Sequence, residues 1–362
     1  MRLKKKPVSF VGLLCLCLLS SCGSLTGKKS KSKKNSSQSF DSFVEYCRAN
    51  DAEPSIKHTV KVMMEYVGAG TNCDVAHEKL NNETSISLIA EAISDLRPFA
   101  SFSNLTSLNL SSNYISDPSP LGKLENLKRL HLQKNEIAEV SSLKTLTQLQ
   151  FLNLKSNKIS DISDLTELTE LKELHLAANQ IKSGIDFSDF DKLELIDLSY
   201  NKLNSLEGFG SLESLKVLIL SNTWLKDYEP LKDLPHLETL DISNGHVFDI
   251  SFISDFKALK TLKMGNNHIT NISSLKELTN LEECYLDYNF ITDISVLSNN
   301  ESLQILNLRS NSIESASPLA KLSKLSQLNL DNNTLGKKIA KNSGNCLVSP
   351  ESSEVYRKFC SQ

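Results

Sequence analysis

The sequence predicts an α/β solenoid with one continuous parallel β-sheet, and three observations lead to that fold. A pattern of the form L-x-x-L-x-L-x-x-N-x-I recurs eleven times with a constant period of 22 residues, without insertion between Asn113 and Asn333. The first half of each unit alternates leucine with polar residues, which is typical of a short strand. A unit of this length cannot bury its own apolar face, so successive units must stack.

Residues 1–21 have the features of a secretory signal peptide. Basic residues near the N-terminus precede an apolar run, residues 8–19, that is too short to span a bilayer. The run ends in Leu19-Ser20-Ser21-Cys22, which resembles the lipobox of bacterial lipoproteins. That resemblance implies cleavage before Cys22 and acylation of its thiol, an anchor stable enough to hold the protein on a membrane. An ordinary signal peptide with a chance cysteine is the alternative.

Composition divides the remaining chain into four regions. Residues 22–39 are rich in Ser and Lys and nearly devoid of apolar side chains, which predicts a flexible tether. A helical N-terminal cap is expected over residues 40–83, and about 12 repeats over residues 84–335. Residues 336–362 leave the pattern and predict a C-terminal cap.

Charge is distributed unevenly along the chain. All 43 Asp and Glu lie beyond residue 40, together with 31 of the 40 Lys and Arg, so the folded part has a formal net charge of −12. Because nucleic-acid binding needs a basic surface, this charge argues against nucleic acid as a partner.

The residues after Cys22 bear on location. Gly23 and Ser24 lack the aspartate that resembles an inner-membrane retention signal, which favours the outer membrane. We therefore expect a lipid-anchored protein of the bacterial envelope and leave open whether it faces the periplasm or the cell surface.

Helical spacing predicts how the first repeat is covered. Apolar residues recur every three or four positions after Pro54, and glycines stop the run. We predict helices over residues 39–50, 54–67 and 73–80, followed by a degenerate repeat unit at residues 86–88. These helices would shield the apolar edge that a terminal repeat exposes.

Five cysteines follow the proposed lipidation site. Cys284 occupies a repeat leucine position, which predicts a buried thiol. In an exported protein the remaining four predict two local disulfides, Cys47–Cys73 before the repeats and Cys346–Cys360 after them. Zinc is the weaker alternative because the usual ligand spacings are missing, and we predict neither a metal nor a cofactor.

The repeats resemble the 22-residue class of leucine-rich repeat found in bacterial internalins and in phosphatase-regulating proteins. Segments such as Ile159-Ser160-Asp161-Ile162 and Ile291-Thr292-Asp293-Ile294 match the I-x-D-I signature of that class. The resemblance implies a horseshoe with a concave parallel β-sheet, 3₁₀ turns on the convex side, and a concave face that binds protein. Internalin features beyond the repeats, and host-cell invasion with them, are not implied.

Constant spacing allows equivalent positions to be compared between repeats. One such position, just after the asparagine, has an aromatic column in four consecutive repeats: Trp224, His246, His268 and Phe290. Small residues beside it are flanked by Tyr200 and Tyr288, and strand positions facing solvent include Val217, Ile219 and Tyr285. Aromatic side chains over small ones are typical of a binding hot spot, so we predict that these nine residues contact a partner.

A structural role for the aromatic column is the alternative. Thr223 and Gly245 interrupt the asparagine position, and Asn222 and Asn244 precede it by one residue. A local shift that brought these asparagines into register would draw Trp224 into the interior as packing.

Three functional classes can be weighed against each other. A monomeric, non-catalytic protein that binds a protein or peptide fits the repeats best. An envelope protein that binds glycan or peptidoglycan is the alternative, because aromatic rings stack on sugars. Catalysis is disfavoured, since His131 and His175 lie two repeats apart and no nucleophile, phosphate-loop or metalloprotease motif is present.

Overall fold

A computed structural model describes residues 42–182, 186–209, 212–337 and 354–361, which all belong to one compact unit. The proposed signal peptide, Cys22 and the tether lie outside the described residues, as does Cys346. Within the described ranges, no helix is both long enough and apolar enough to cross a bilayer.

Three short helices precede the repeats, as the sequence predicted. They are α1 (Phe43–Arg48), α2 (Pro54–Tyr66) and α3 (Cys73–Asn82). Helix α1 is shorter than predicted because Ser42 caps it: the Ser42 hydroxyl accepts from the Glu45 amide, and the Glu45 carboxylate accepts from the Ser42 amide. The Cys47–Cys73 disulfide, with an S–S distance of 2.05 Å, joins α1 to the start of α3 and confirms the predicted pairing.

The repeats form one twelve-stranded parallel sheet in chain order. Each strand is three residues long and pairs with the next at an offset of one repeat, so that Leu108 lies opposite Leu130. The strands are β1 (Ser85–Ser87), β2 (Ser107–Asn109), β3 (Arg129–His131), β4 (Phe151–Asn153), β5 (Glu173–His175), β6 (Leu195–Asp197), β7 (Val217–Ile219), β8 (Thr239–Asp241), β9 (Thr261–Lys263), β10 (Glu283–Tyr285), β11 (Ile305–Asn307) and β12 (Gln327–Asn329). The predicted degenerate first unit is therefore confirmed as β1.

Short 3₁₀ helices form the return path of most repeats, as predicted for the convex side. They span Arg97–Phe99, Ser119–Lys123, Ser141–Thr145, Ser163–Glu167, Glu229–Leu231, Ser251–Asp255, Ser273–Glu277, Ser295–Asn299, Ser317–Lys321 and Thr334–Lys337. A fourth α-helix, α4 (Glu354–Ser361), follows near the C-terminus, with Tyr356 buried. The Cys346–Cys360 pairing stays a prediction because Cys346 lies outside the described ranges.

The central leucine of nearly every strand points into a continuous core between the sheet and the return path. Cys284 takes this position in β10, is fully buried with a free thiol, and has a pKa raised to about 12 by burial. At the N-terminal end, the rings of Phe43 in α1 and Phe102 in the first repeat lie 5.5 Å apart between centroids, and both are buried. The helical cap thus covers the apolar edge of the solenoid.

Buried asparagines link each repeat to the one before it. The Asn157 side chain is representative: its Nδ2 donates to the carbonyls of Leu132 and Leu154, at 3.0 and 2.9 Å, and its Oδ1 accepts from the Ile137 amide at 3.0 Å. We call the set of such residues the asparagine ladder; its members are Asn113, Asn135, Asn157, Asn179, Asn201, Asn267, Asn289, Asn311 and Asn333. The ladder satisfies backbone groups at the bend after each strand.

Candidate binding surface

The four residues of the aromatic column lie side by side along one rim of the concave sheet. Their ring centroids are separated by 5.8 Å from Trp224 to His246, 5.7 Å from His246 to His268, and 6.0 Å from His268 to Phe290. The spacing follows from the fold, because every column residue comes one repeat after the last and adjacent parallel strands lie roughly 5 Å apart.

These rings are open to solvent. Trp224 is 65% exposed and Phe290 is 57% exposed, while His246 is also exposed and His268 is half-buried between its neighbours. Aromatic side chains with this much free surface do not serve as packing for the solenoid.

Phe248 belongs to the same surface, although the sequence analysis did not select it. It is 67% exposed, and its ring stacks on His268 with a centroid distance of 4.8 Å. Phe248 occupies the position two residues after the aromatic column, where the neighbouring repeats have the polar residues Lys226 and Thr270. An aromatic residue among polar ones at this position is the sequence signal that could have identified it. We call Trp224, His246, Phe248, His268 and Phe290 the aromatic ridge.

The alternative in which Trp224 is drawn inwards is wrong, and backbone geometry gives the reason. Asn222 and Asn244 have φ values of 58° and 55°, in the left-handed region that every regular repeat visits just before its ladder position. Asparagine tolerates this conformation better than most residues. The two asparagines therefore stay in their own column, and the register of the sheet is unchanged through these repeats.

The ladder is instead interrupted at Thr223 and Gly245. Thr223 keeps one bond, from its hydroxyl to the Leu220 carbonyl at 2.8 Å. At Gly245 a Cβ atom would stand 3.5 Å from the Tyr228 hydroxyl, so the tyrosine reaches into the space that an asparagine side chain fills elsewhere. Burial raises the pKa of Tyr228 to about 12, and the interaction with the Thr223 side chain opposes that rise.

A shallow depression of about 650 Å³ lies on the sheet beside the aromatic ridge. Its floor contains the small residues Ser243 and Gly265, and Tyr285 and Tyr288 line its wall. A Cβ at Gly265 would lie 2.9 Å from the Asp287 carboxylate, so glycine lets that carboxylate lean over the floor. The Lys263 ammonium lies 5.7 Å from the centre of the Tyr285 ring, and the depression therefore offers both charge signs next to aromatic faces.

The predicted tyrosines differ in setting: Tyr285 and Tyr288 line the depression, whereas Tyr200 lies two repeats before it. Tyr200 and Tyr288 are exposed and have left-handed backbones, with φ of 54° in both residues. The Tyr285 hydroxyl donates to the Glu283 carboxylate at 3.1 Å, and burial first, then Glu283, raises the pKa of Tyr285.

The centre of the concave sheet is apolar where the sequence predicted it. Val217 and Ile219 flank the inward Leu218 on β7, and both are half-buried on the solvent side. Asp197 and Asp241 lie on either side of Ile219, and each carboxylate accepts from the hydroxyl of the serine two residues later at 2.6 Å. The structure thus brings all nine predicted contact residues onto one continuous surface that runs from β6 to β10.

Comparison with known proteins agrees with this architecture. Family models for leucine-rich repeats match residues 104–124, 125–167, 213–256 and 257–299. The crystal structure of an internalin from Listeria monocytogenes superposes with a TM-score of 0.72 at 30% identity, covering 76% of this chain and 82% of the internalin. The chain belongs to the internalin-like leucine-rich repeat family.

Other solved structures share the solenoid of this internalin-like chain. A leucine-rich repeat protein from Leptospira interrogans gives a TM-score of 0.62 at 22% identity, covering 71% of this chain and 80% of its own. Toll-like receptor 13, in a complex with single-stranded RNA, gives a TM-score of 0.60 at 27% identity, covering 70% of this chain and 40% of its own. No curated protein sequence matches significantly. The family resemblance predicted from the repeats is confirmed.

Proposed function

We propose that this internalin-like protein is a monomeric, non-catalytic binding module that holds a protein or peptide on its concave face. The aromatic ridge is the observation that supports this function most directly. Its five adjoining rings span four consecutive repeats on the solvent side. They lie beside the depression and the apolar centre of the concave sheet.

The energetics of association favour such a surface. Each buried aromatic side chain removes roughly 150–250 Å² from water, and aromatic residues dominate the binding energy of protein interfaces. The rings project from the bends that follow the strands, where the amides of Trp224, His268 and Phe290 each donate to a carbonyl of the preceding repeat. Because this backbone is already fixed, little conformational entropy is lost when a partner binds.

A binding experiment tests the surface directly. We expect Trp224→Ala and Phe290→Ala each to weaken the binding of a captured partner by about 2 kcal/mol, which raises the dissociation constant roughly thirtyfold. Tyr285→Ala probes the wall of the depression in the same assay. Tyr114→Ala is the matched control, because Tyr114 occupies the same column, is 62% exposed, and lies five repeats away. Equal affinity in all four variants would remove the ridge from the proposed interface.

We further propose that the module is held on the membrane through a diacylated Cys22 and extends from it on the Ser/Lys tether. The lipobox-like Leu19-Ser20-Ser21-Cys22 supports this anchor, and the residues after it favour an outer-membrane location. Incorporation of a labelled fatty acid into the wild-type protein, and its loss in Cys22→Ala, is the expected result. Protease treatment of intact cells then distinguishes the surface face from the periplasmic face.

Glycan binding is the second candidate, and one observation favours it. Asn244 and Asn266 are exposed next to the ridge, in one row with the half-buried Asn222, and the Asn266 amide donates to the Asn244 side-chain oxygen at 3.0 Å. Side-chain amides beside aromatic faces can bind sugar hydroxyls while the rings stack on the pyranose. Retention of the protein on purified cell-wall sacculi, lost in Trp224→Ala, would favour this candidate over a protein partner.

A further inference from the structure

A second group of rings lies on the concave sheet, three strands before the ridge. Phe151 lies between His131 and His175, with ring centroids 4.5 and 5.3 Å away. The Arg129 guanidinium carbon is 4.3 Å from the centre of the same ring. Phe151 is consequently only 7% exposed, although its position in β4 faces solvent.

The two permanent cations beside this group, Arg129 and Lys155, have no ion-pair partner among the described residues. We consider the solvent-facing side chains of β2, β3 and β4 and of the two residues that follow each strand. Besides histidine, two of them are charged, Arg129 and Lys155. Among the described residues, no carboxylate lies within the 4.0 Å ion-pair distance of either one. Glu173 sits at the edge of the group, 3.6 Å from His175 Nε2.

The protonation of His131 reflects the same crowding. Burial, followed by the charges of Arg129 and His175, lowers the pKa of His131. An anion bound beside these groups would add an opposing electrostatic contribution that raises the pKa of His131, so His131 would report on its binding.

We infer that Arg129 and His131, both in contact with the Phe151 ring, form a subsite for a carboxylate-rich segment of the protein partner. The inference rests on the proposed function and adds an electrostatic contact to the apolar one. Arg129 can form a bidentate pair with a carboxylate while its flat face stays on Phe151. Three strand spacings separate β4 from β7, so the acidic segment lies about 15 Å from the apolar centre of the sheet.

A short acidic peptide fits this subsite better than a nucleic acid does. The folded part has a net charge of −12, and the concave positions from β6 onwards include Asp197, Asp241, Glu283 and Asp287. A long polyanion that entered at Arg129 would meet Glu173 on β5 and then these carboxylates along the sheet, whereas a segment of a few residues would meet Glu173 alone.

The test uses the full-length protein and a hexaglutamate peptide at low ionic strength. Binding is followed through the imidazole resonances of His131 as the pH is varied. We expect the peptide to raise the pKa of His131 and to leave His58, in α2, unchanged. No change at His131, or the same change at both histidines, would overturn the subsite.

A pair of arginine variants supplies the second readout. Arg129→Met keeps an aliphatic chain on Phe151 but removes the charge, and we expect hexaglutamate to bind about tenfold more weakly. Arg309→Met is the matched control: its guanidinium also lies over a ring, 5.9 Å from the centre of Tyr288, and its loss should not change the affinity. Equal affinity in wild type and Arg129→Met would contradict the inference.

Two comparisons separate this inference from its competitors. If an oligouridylate binds with the same dependence on Arg129 and hexaglutamate does not, the ligand class is wrong. If the captured partner binds Arg129→Met normally but is lost by Trp224→Ala, the acidic subsite is wrong and the proposed function stands. Loss in both variants supports both, and loss in Arg129→Met alone supports the subsite while removing the ridge from the interface.

Discussion

At residue 228 a tyrosine stands where Ile162, Ile250 and Ile272 stand in equivalent repeats, and its hydroxyl approaches Gly245. The two departures from the repeat are therefore coupled. An asparagine at 245 would collide with the tyrosine, and an isoleucine at 228 would leave a cavity beside the glycine.

A double-mutant cycle measures this coupling. We expect Gly245→Asn and Tyr228→Ile each to lower the free energy of unfolding by about 1–3 kcal/mol, through overpacking and cavity formation respectively. The double variant restores both regular residues and should recover most of the loss. Denaturant unfolding provides the measurement, and additive losses would show that the two sites are independent.

Cys284 illustrates how burial controls chemistry at a single atom. Its thiol is fully buried and its pKa is raised to about 12, so almost no thiolate forms at neutral pH. We expect the native protein to leave this thiol unmodified by a disulfide reagent at pH 8 and to expose it on unfolding. The Cys284→Ala variant, measured in parallel, removes the signal; rapid reaction of the native thiol would contradict the buried placement.

Among the structural elements, the asparagine ladder contributes most regularly to the contacts between repeats. Asn157 makes three buried bonds, whereas Thr223 makes one. We expect Asn157→Ala to cost about 3 kcal/mol and Thr223→Ala about 1 kcal/mol, at roughly 1 kcal/mol per bond. Thermal or chemical unfolding of the two variants measures both losses of stability, and the loss in Asn157→Ala should be well above that in Thr223→Ala.

The elements also show what a sequence can and cannot predict. A constant period determines strand register, so β1 to β12, the 3₁₀ returns and the alignment of Trp224 and Phe290 in one column could be predicted. The sign of φ at Asn222 could not, because residue identity alone does not distinguish a ladder asparagine from a left-handed one. Phe248 was missed although its column was readable in the sequence, and only the structure shows its contact with His268, one repeat away.

At the scale of the whole molecule, the stability of a solenoid is approximately a sum over its repeats and the contacts between neighbouring repeats, so a weak contact lowers stability locally. The ladder positions at Thr223 and Gly245 lack the asparagine oxygen that elsewhere accepts from the preceding repeat, and the affected amides are those of Leu203 and Leu225. The described repeats on either side keep the full set of bonds.

Hydrogen exchange should reveal this difference along the chain. If the interruption removes about 2 kcal/mol of local stability, amides near residues 203–225 should exchange roughly thirtyfold faster than those near residues 137–159. Thr223→Asn, which adds the missing oxygen, should slow exchange at Leu203. Uniform protection across the repeats would show that Tyr228 compensates fully.

The interruption of the ladder lies directly beneath the Trp224 end of the exposed rings. A partner that contacts both Trp224 and Phe290 would bridge the repeats in which the asparagine ladder is interrupted. Its contacts would stabilise those repeats from the solvent side, where the hydrogen bonds between them are fewest. Binding of the partner would then change the curvature of the whole solenoid, including repeats that the partner does not contact.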